Sequence, residues 1–459
     1  MGKEQNRLVL TATSLVFLLL LTSFYAAFFA SDVTTFKSCM GRQHLFKFRG
    51  APSSKKADKA IEINDSLEFL LRRLVRGEDR IQLDTTGFSC HTDMNSELCV
   101  ANRPVRIDNT ALTVYVQSSQ SQIQRMVKPY PSKLALENVK PVQIVNGDAD
   151  LPACQFNHDV PAVVFSSGGF AGNQFHEFNE IIIPLFITSH HFRSNLKFVN
   201  INYKPWWVSK YSKILSLLSR YEIINPADGN VHCFPGAVIG LKYHGFLALN
   251  NTDIPGGYSM FDFKQFLRES YNLKINNVYE INREKPILIF ISRGKSRKFL
   301  NEDEMVVMMK ELGFQVIVTR PNRMSNLNKF AELLNACSVL IGAHGAGLTT
   351  ELFLPVGAVM VQVVPLGLEW ASTNYFGLPA REMGVQYLEY NIEPEESSLI
   401  ETYDRDHPVI TDPGSLFAKG YFVGRAVYVD GQDLKINLTR FRETILQAKE
   451  HIGMSTHLS

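Results

Sequence analysis

The chain has 459 residues, with 47 basic and 45 acidic side chains and a formal net charge of +2. This length is enough for two domains of ordinary size. The near balance of charge argues against a polyanion-binding protein, so we expect no nucleic-acid partner. Internal repeats and low-complexity tracts are absent, and most of the chain is therefore expected to form an ordinary globular fold.

An apolar segment near the N-terminus predicts a membrane anchor. Residues 8–30 carry no charge and are rich in Leu, Val, Phe and Ala, enough to cross a bilayer as a helix. Lys3 and Arg7 precede them, so the tail 1–7 is expected in the cytosol and the rest in the lumen. A cleaved signal peptide is the alternative, but aromatic residues near the end of the segment spoil most cleavage registers.

A polar and basic stem is predicted over residues 31–83, and it contains Cys39, which could link two chains into a dimer. Apolar residues near its end recur at helical spacing: Ile61, Leu67, Leu70, Leu71, Leu74 and Val75. They indicate a short helix that either self-associates or packs on the following domain, and packing is preferred.

Cysteines and glycosylation motifs agree with a lumenal chain. The short spacing of Cys90 and Cys99 suits a local disulfide, and Cys154 is a candidate partner of Cys233, although sequence does not determine connectivity. Cys337 lies on an apolar helix face and is expected to be a buried free thiol. N-x-S/T motifs, which together favour the secretory pathway, occur at Asn64, Asn250 and Asn437.

Short β-branched runs alternate with amphipathic segments and predict two α/β domains, over residues 84–275 and 276–459. In the second, five runs between residues 285 and 392 (PILIFISR, QVIVTR, VLIGAHGAG, AVMVQVVP and VQYLEYNI) predict a parallel sheet covered on both faces. The first is also α/β, with strand-like runs such as LTVYVQ and PAVVFSS. A final helix near residues 438–451 is expected to pack back on the N-terminal half. The architecture is two facing Rossmann-like domains with a cleft between them.

The loop GAHGAG, after the third of these five runs, is neither a dinucleotide fingerprint nor a Walker lysine loop. Gly345 and Gly347 would let the backbone approach an anion at a helix start near Leu348. Two arginines after the first run, Arg293 and Arg297, would offset the charge of a diphosphate. Alternatively, the loop is a simple tight turn, and the arginines neutralise acidic residues at the next helix start.

Two further segments supply candidate contacts. Glu369 and Trp370, after the fourth run, could hydrogen-bond a ribose and stack on a base or sugar, or form a buried domain contact. In the first domain, GNQFHEFNE follows a strand and a glycine-rich turn, which places His176 and Glu180 one helical turn apart on one face.

These motifs, GNQFHEFNE, SRGKSRKFLNEDE, GAHGAGLTT, PLGLEWASTNY and LPAREMGVQYLEY, resemble the plant branch of glycosyltransferase family 61 over residue 84 to the C-terminus. The resemblance implies a Golgi type II membrane protein of GT-B fold that uses a UDP-sugar, inverts configuration and needs no metal or other cofactor. It also implies pentose transfer, of arabinofuranose or xylose, to xylan in the cell wall. The implied partners are a UDP-pentose, xylan and, in a complex, other xylan-synthesis enzymes.

Inversion requires one general base, and the resemblance gives that role to Glu180, with His176 orienting a substrate. Glu177 is a fallback base, and Asn173 and Asn179 are assigned to the acceptor side. Arg293, Arg297, His344, Gly345 and Gly347 would hold the diphosphate. Glu369 and Trp370 would then touch the nucleoside or donor sugar.

Metal sites are not expected. Asp148 and Asp150 form a DxD pattern, but it lies in a polar turn and is interpreted as ordinary turn chemistry. The histidines lack zinc-like spacing. Three alternatives remain: an N-glycan core β-1,2-xylosyltransferase, a non-catalytic lumenal glycan-binding scaffold and a nucleotide-dependent oxidoreductase. The missing dinucleotide fingerprint argues against the last.

Overall fold

The computed structural model describes residues 66–92, 96–119, 123–133, 135–146, 151–249, 251–252, 254, 256–320 and 326–453, all within one compact unit. The predicted tail 1–7, the anchor 8–30 and most of the predicted stem lie outside these residues. Among the residues that are described, no helix is long and apolar enough to cross a bilayer.

The strands fall into an N-terminal and a C-terminal group. They are β1 Phe88–Thr92, β2 Glu97–Ala101, β3 Val105–Asp108, β4 Thr113–Val116, β5 Gln124–Val127, β6 Val142–Asn146, β7 Phe156–Asn157, β8 Ala162–Phe165, β9 Lys197–Asn200, β10 Val231–Phe234, β11 Ala237–Ile239, β12 Ile287–Ile291, β13 Gln315–Thr319, β14 Val339–Ala343, β15 Val359–Val364 and β16 Gln386–Asn391.

Helices connect and cover these strands, and three of them contain a π-helical segment. They are α1 Leu67–Arg72, α2 Gly77–Thr86, α3 (Gln174–Glu177, π-helical Phe178–Ile182 and Ile183–Ser189), α4 Pro205–Lys210, α5 Ser212–Leu218, α6 Met260–Tyr271, α7 Glu302–Glu311, α8 Leu327–Asn335, α9 (Glu369–Ser372, π-helical Thr373–Gly377 and Leu378–Glu382), α10 Pro408–Thr411, α11 Pro413–Ala418, α12 (Tyr421–Gly424 and π-helical Arg425–Asp430) and α13 Leu438–His451.

The C-terminal sheet has the order β13-β12-β14-β15-β16 and is parallel throughout. Its central strands β12, β14 and β15 are buried along their whole length, as apolar runs predict for a sheet covered on both faces. All five predicted strands are confirmed. Because the strands are parallel, the loops after β12, β14 and β15 emerge at the same edge of the sheet.

The N-terminal half contains two mixed sheets, of order β1-β2-β11-β8-β9 and β5-β6-β4-β3-β10-β7. In β8, Val163 and Phe165 belong to the main core, whereas Ala162 and Val164 belong to a second core that includes residues of the other sheet. The first sheet is therefore buried on both faces. The sequence analysis predicts an α/β half but not this second sheet.

Two disulfides link elements of this half. Cys90 and Cys99 are directly paired residues of β1 and β2, and Cys154 is bonded to Cys233 in β10. Both proposed pairings are confirmed, and Cys337 is a buried free thiol as expected. Cys39 lies outside the residues that the structure describes.

The end of the predicted stem packs on the fold. Leu71, Leu74 and Val75, in and just after α1, and Leu83 in α2 are buried in the main core. The apolar spacing is thus explained by packing for residues 67–83. Residues 31–65 lie outside the described part of the chain.

The last helix requires a correction. Helix α13 packs on α7 and on strands β15 and β16 of the C-terminal half, rather than on the N-terminal half as predicted. Its buried residues Phe441, Ile445 and Ala448 recur at helical spacing, and the Phe441 ring contacts Tyr390 of β16 edge-on at 5.0 Å.

Candidate active site

The glycine-rich turn follows β14 and leads into a 3₁₀ helix, Ala346–Phe353, which begins earlier than the helix start predicted near Leu348. Gly345 has a φ of +147°, and a Cβ on it would overlap the guanidinium group of Arg293. Only glycine therefore lets this backbone approach the cation so closely. Gly347 lies inside the 3₁₀ helix, where its carbonyl accepts a hydrogen bond from Thr350 Oγ1 (2.8 Å).

Arg293 and Arg297 follow β12 and meet this turn. Arg297 is only 8% exposed. Its Nη1 donates to the carbonyl of His344 (2.8 Å), and its backbone N–H donates to the carbonyl of Gln432 (2.6 Å). Arg293 Nε donates to the carbonyl of Ser296 (2.9 Å). Arg297 also has a φ of +54°, a conformation rare outside glycine, and such local strain is often found at functional sites.

These two arginines have no carboxylate in direct contact among the described residues. Neither forms an ion pair with a carboxylate in the described part of the chain, and the buried Nε of Arg297 has no hydrogen-bond partner there. Burial, and then the neighbouring Arg293, lower the pKa of Arg297 to about 9, and burial lowers that of Arg293. Glu302, one of the acidic residues considered as their partner, faces Arg320 instead (3.6 Å). The pair is suited to an anionic ligand.

His344 provides a neutral donor beside the arginines. Its Nδ1 accepts a hydrogen bond from Gln362 Nε2 (3.0 Å) and lies 3.1 Å from Ser372 Oγ, and Tyr387 donates to Gln362 Oε1 (2.8 Å). Burial and the adjacent guanidinium groups lower the pKa of His344 to about 3. The imidazole is therefore neutral, with its proton on Nε2, and can donate to an anion. We call Arg293, Arg297, His344 and Gly345 the anion cradle.

Residues far along the chain lie beside the cradle, and the sequence analysis did not predict them. Asp430 raises the pKa of Arg297, while Arg425 lowers it and itself pairs with Asp430 (3.1 Å). Gln432 is buried and holds the loop after β15 through hydrogen bonds with the backbone of Leu366. No motif marks this segment, because its relation to Arg297 arises only on folding.

Glu369 and Trp370 lie at the start of α9, three and two residues before Ser372, which contacts His344. The Glu369 carboxylate accepts the N–H of Gly367 (3.0 Å), and Trp370 is 63% exposed. Neither is a buried domain contact.

The first turn of α3 carries the second cluster. Asn173 caps the helix by accepting the N–H of Phe175 (3.0 Å). His176 Nδ1 lies 2.6 Å from Glu180 Oε1, and the other oxygen of Glu180 accepts a hydrogen bond from Tyr130. Burial and the charge of Glu180 raise the pKa of Tyr130, so this phenol stays protonated as a donor. Glu180 lies in the π-helical turn, a feature frequent at functional sites.

The exposure of this pair differs between its members. The side chain of His176 is 26% exposed, whereas that of Glu180 is 4% exposed and has a partner on each oxygen. A carboxylate at Nδ1 leaves Nε2 of the imidazole for a substrate proton. The geometry thus favours His176 as the residue that reaches substrate and Glu180 as the residue that orients it, the reverse of the assignment implied by the resemblance.

Glu177, the fallback base, is fully buried and occupied. Its carboxylate accepts hydrogen bonds from Lys210 Nζ (2.6 Å), Tyr211 Oη (2.6 Å) and the N–H of Gly172 (3.1 Å). These contacts tie the glycine-rich loop to α4 and to the residue that follows it. Glu177 therefore has a structural position, and no oxygen of it is left for a substrate.

Asn179 also belongs to the frame of the site. Its Oδ1 accepts the N–H of Leu247 (2.8 Å), its Nδ2 donates to Tyr243 Oη (3.3 Å), and it is buried. Together with the cap formed by Asn173, these contacts mean that the two predicted acceptor-side residues hold the helix and the 243–247 loop in place.

Aromatic rings connect the two clusters. Phe175, next to His176, lies 5.2 Å from Tyr375 and 5.6 Å from Phe376, and His344 lies 6.3 Å and 5.4 Å from the same two rings. The first turn of α3 also packs on the 3₁₀ helix that follows the cradle. The cradle and the His176–Glu180 pair are therefore close neighbours across this aromatic seam.

The remaining predicted sites are located as follows. Within the described ranges, no group of three or more His, Cys, Asp or Glu side chains is arranged to hold a metal ion. Asp148 and Asp150 lie outside those ranges, as do Asn64 and Asn250. Asn437 is exposed and caps α13, accepting the N–H of Thr439 (3.1 Å).

Comparison with known proteins is consistent with these features. The sequence model of glycosyltransferase family 61 matches residues 108–361. The chain is 36% identical to an α-1,3-arabinosyltransferase of Oryza sativa subsp. japonica, over 85% of this chain and 70% of that relative. It is 34% identical to a xylan glycosyltransferase of Arabidopsis thaliana, over 81% and 79%. It is 37% identical to a β-1,2-xylosyltransferase of Oryza sativa subsp. japonica, over 82% and 69%.

Proposed function

This chain belongs to glycosyltransferase family 61, and we propose that it transfers a pentose, arabinofuranose or xylose, from a UDP-sugar to xylan with inversion. The observation that carries the proposal is the pairing of the anion cradle with the His176–Glu180 pair across one aromatic seam. The relatives named for xylan or pentosyl transfer support the choice of acceptor and sugar class.

The cradle binds the diphosphate of the donor in this proposal. The guanidinium groups of Arg293 and Arg297 supply positive charge, and neither forms an ion pair with a carboxylate in the described part of the chain; His344 Nε2 adds a neutral donor. As the bond between the anomeric carbon and the β-phosphate oxygen breaks, its electron pair leaves with UDP. The arginines stabilise that added negative charge. In other enzymes a divalent cation provides this stabilisation. This supports a metal-independent reaction.

His176 acts as the general base. Its Nε2 removes the proton from a xylan hydroxyl while that oxygen attacks the anomeric carbon on the face opposite UDP. Glu180 accepts the Nδ1–H of His176, fixes the tautomer and stabilises the imidazolium that forms, and Tyr130 holds Glu180 in place. A single base with displacement on the opposite face gives inversion.

We further propose that the enzyme is a Golgi type II membrane protein with its catalytic part in the lumen. The uncharged segment 8–30 supports the anchor. The two disulfides support an oxidising compartment, because such bonds are rare in the cytosol.

The test uses the full-length chain, expressed in a eukaryotic host and purified in detergent. It is incubated with xylohexaose and either UDP-arabinofuranose or UDP-xylose, with EDTA present, and products are analysed by mass spectrometry and NMR. We expect one pentose to be added from one donor, with inverted configuration. Folded protein that binds UDP but transfers neither sugar would contradict the assigned donor and acceptor classes. Protein that binds no UDP would favour a non-catalytic scaffold.

A further inference from the structure

Three aromatic side chains from both halves of the protein, two of them exposed and Tyr375 half-buried, form a cluster beside the candidate site. Phe246 lies 4.7 Å from Tyr375 and 6.3 Å from Trp370, and Trp370 lies 5.7 Å from Tyr375, measured between ring centroids. Trp370 is 63% exposed and Phe246 is 39% exposed. Apolar rings that are clustered and exposed in this way often mark a binding surface.

The local structure holds these rings toward solvent. Leu247 is fully buried, has a φ of +43°, and donates its N–H to Asn179 Oδ1, so the residue before it, Phe246, is turned outward. On α9, Asn374 Nδ2 donates to the carbonyl of Trp370 (2.7 Å). A surface that is fixed before binding loses little conformational entropy when a ligand binds.

The position of the cluster relates it to the acceptor. The Tyr375 ring lies 5.2 Å from that of Phe175, which in turn lies 5.4 Å from the ring of His176, the proposed base. Phe246 belongs to the same N-terminal half as His176, whereas the anion cradle lies entirely in the C-terminal half. A chain lying on the cluster would pass next to His176, where its hydroxyl must be.

The chemistry of a β-linked pentopyranose chain fits such a surface. Each ring carries C–H bonds on its two faces and hydroxyl groups around its rim, without an exocyclic hydroxymethyl group. Its faces can therefore stack on aromatic rings, which gain stability by removing apolar surface from water. The Trp370 ring is nearly perpendicular to those of Phe246 (86°) and Tyr375 (78°). Successive sugars of one chain would therefore meet ring faces and ring edges in turn.

We propose that Phe246, Trp370 and Tyr375 form a platform that binds the xylan acceptor chain over successive sugar residues beside His176. This deepens the proposed function and depends on it for the identity of the acceptor. It moves Trp370 from the nucleoside or donor sugar, where the sequence analysis assigned it, to the acceptor.

The test compares the wild-type full-length chain with Trp370→Ala and Phe246→Ala. Binding of xylohexaose and of UDP is measured separately by calorimetry, and KM and kcat are measured for xylobiose to xylohexaose. We expect either variant to weaken xylohexaose binding roughly three- to tenfold, to raise the KM for long acceptors more than for xylobiose, and to leave UDP affinity unchanged. Trp370→Phe should retain most of the binding.

Phe156→Ala is the matched control, because Phe156 is 48% exposed but lies on the second N-terminal sheet. It should leave both affinities unchanged, and thermal unfolding checks that every variant is folded. Weakened UDP binding with unchanged xylohexaose binding would overturn the platform and return Trp370 to the donor. Unchanged affinities in both variants would also overturn it. If the wild type binds xylohexaose through these rings but transfers no pentose, the platform stands and the proposed reaction fails.

Discussion

The two halves of the candidate site differ in how their polar atoms are satisfied. In the anion cradle, the buried guanidinium of Arg297 and the half-buried one of Arg293 have no ion pair in the described chain, and the Nε of Arg297 lacks a partner. In the His176–Glu180 pair, both carboxylate oxygens are hydrogen-bonded and the imidazole has one committed nitrogen. The difference indicates two roles: the cradle is completed by a ligand, whereas the pair is a preorganised group with one reactive atom.

The largest effect is expected at His176. Substitution His176→Ala removes the proposed base and should lower kcat by about 10³, with UDP affinity retained because the cradle is untouched. Glu180→Gln keeps the imidazole but not its charged partner, and should lower kcat by about 10². Steady-state kinetics with xylohexaose and calorimetry with UDP measure both.

The ratio of these two effects decides the assignment. If Glu180→Gln abolishes turnover while His176→Ala retains most of it, the roles are reversed and Glu180 is the base, as the family resemblance implies. Glu177→Gln is a poor control because that carboxylate ties the loop to Lys210. Trp206→Ala, at an exposed position on α4, is a better one.

Substitutions in the cradle should act mainly on UDP binding, whereas those in the His176–Glu180 pair should act mainly on kcat. Arg297→Met removes the buried positive charge but keeps a side chain of similar length. It should weaken UDP binding and kcat/KM by about 10². The free energy of unfolding of this variant should fall much less than the free energy of UDP binding. The reason is that the buried guanidinium, which has no ion pair, is desolvated at a free-energy cost in the UDP-free protein. UDP titration and thermal unfolding with and without UDP measure the two quantities.

The matched control for Arg297→Met is Arg320→Met. Arg320 lies outside the cradle, and its side chain is 74% exposed where it faces Glu302. This variant should bind UDP as the wild type does. A loss of stability in Arg297→Met with unchanged UDP binding would mean that Arg297 has a structural role only.

Sequence patterns predict this C-terminal half well. The runs PILIFISR and VLIGAHGAG are strands because β-branched, fully apolar segments suit a sheet covered on both faces. The loops after them converge because the carboxyl ends of parallel strands lie at the same edge of the sheet. The sequence alone therefore predicts that Arg293, Arg297, His344 and Gly345 lie together.

The rest depends on tertiary relations that no local pattern encodes. The second N-terminal sheet pairs β10 with both β3 and β7, which are distant in sequence, and its strands are too short for strong periodicity. The roles of His176 and Glu180 follow from which of the two side chains is buried. Helical spacing places both on one face of the helix and does not distinguish between them. Asp430 and Gln432 approach Arg297 only because the chain returns to the sheet edge.

The smallest expected effect is on the free energy of unfolding at acidic pH. It distinguishes the buried histidine of the cradle from an exposed histidine. In the folded protein His344 has a pKa of about 3, whereas an unfolded histidine titrates near 6.5. Below pH 6.5 the unfolded chain therefore binds a proton at this residue that the folded chain does not. Its contribution to stability is complete above pH 6.5 and falls by about 1.4 kcal/mol per pH unit between 6.5 and 3.

His344→Gln removes this linkage. Between pH 7 and pH 5 its unfolding free energy should fall by about 2 kcal/mol less than that of the wild type, as measured by urea denaturation without UDP. His451→Gln, at an exposed position of α13, should follow the wild-type curve. Parallel curves for His344→Gln and the wild type would mean that the folded cradle binds a proton at His344 as readily as the unfolded chain does. His344 would then become a third cation beside Arg293 and Arg297 below pH 6.5, and the neutral-donor role proposed for it would fail at acidic pH.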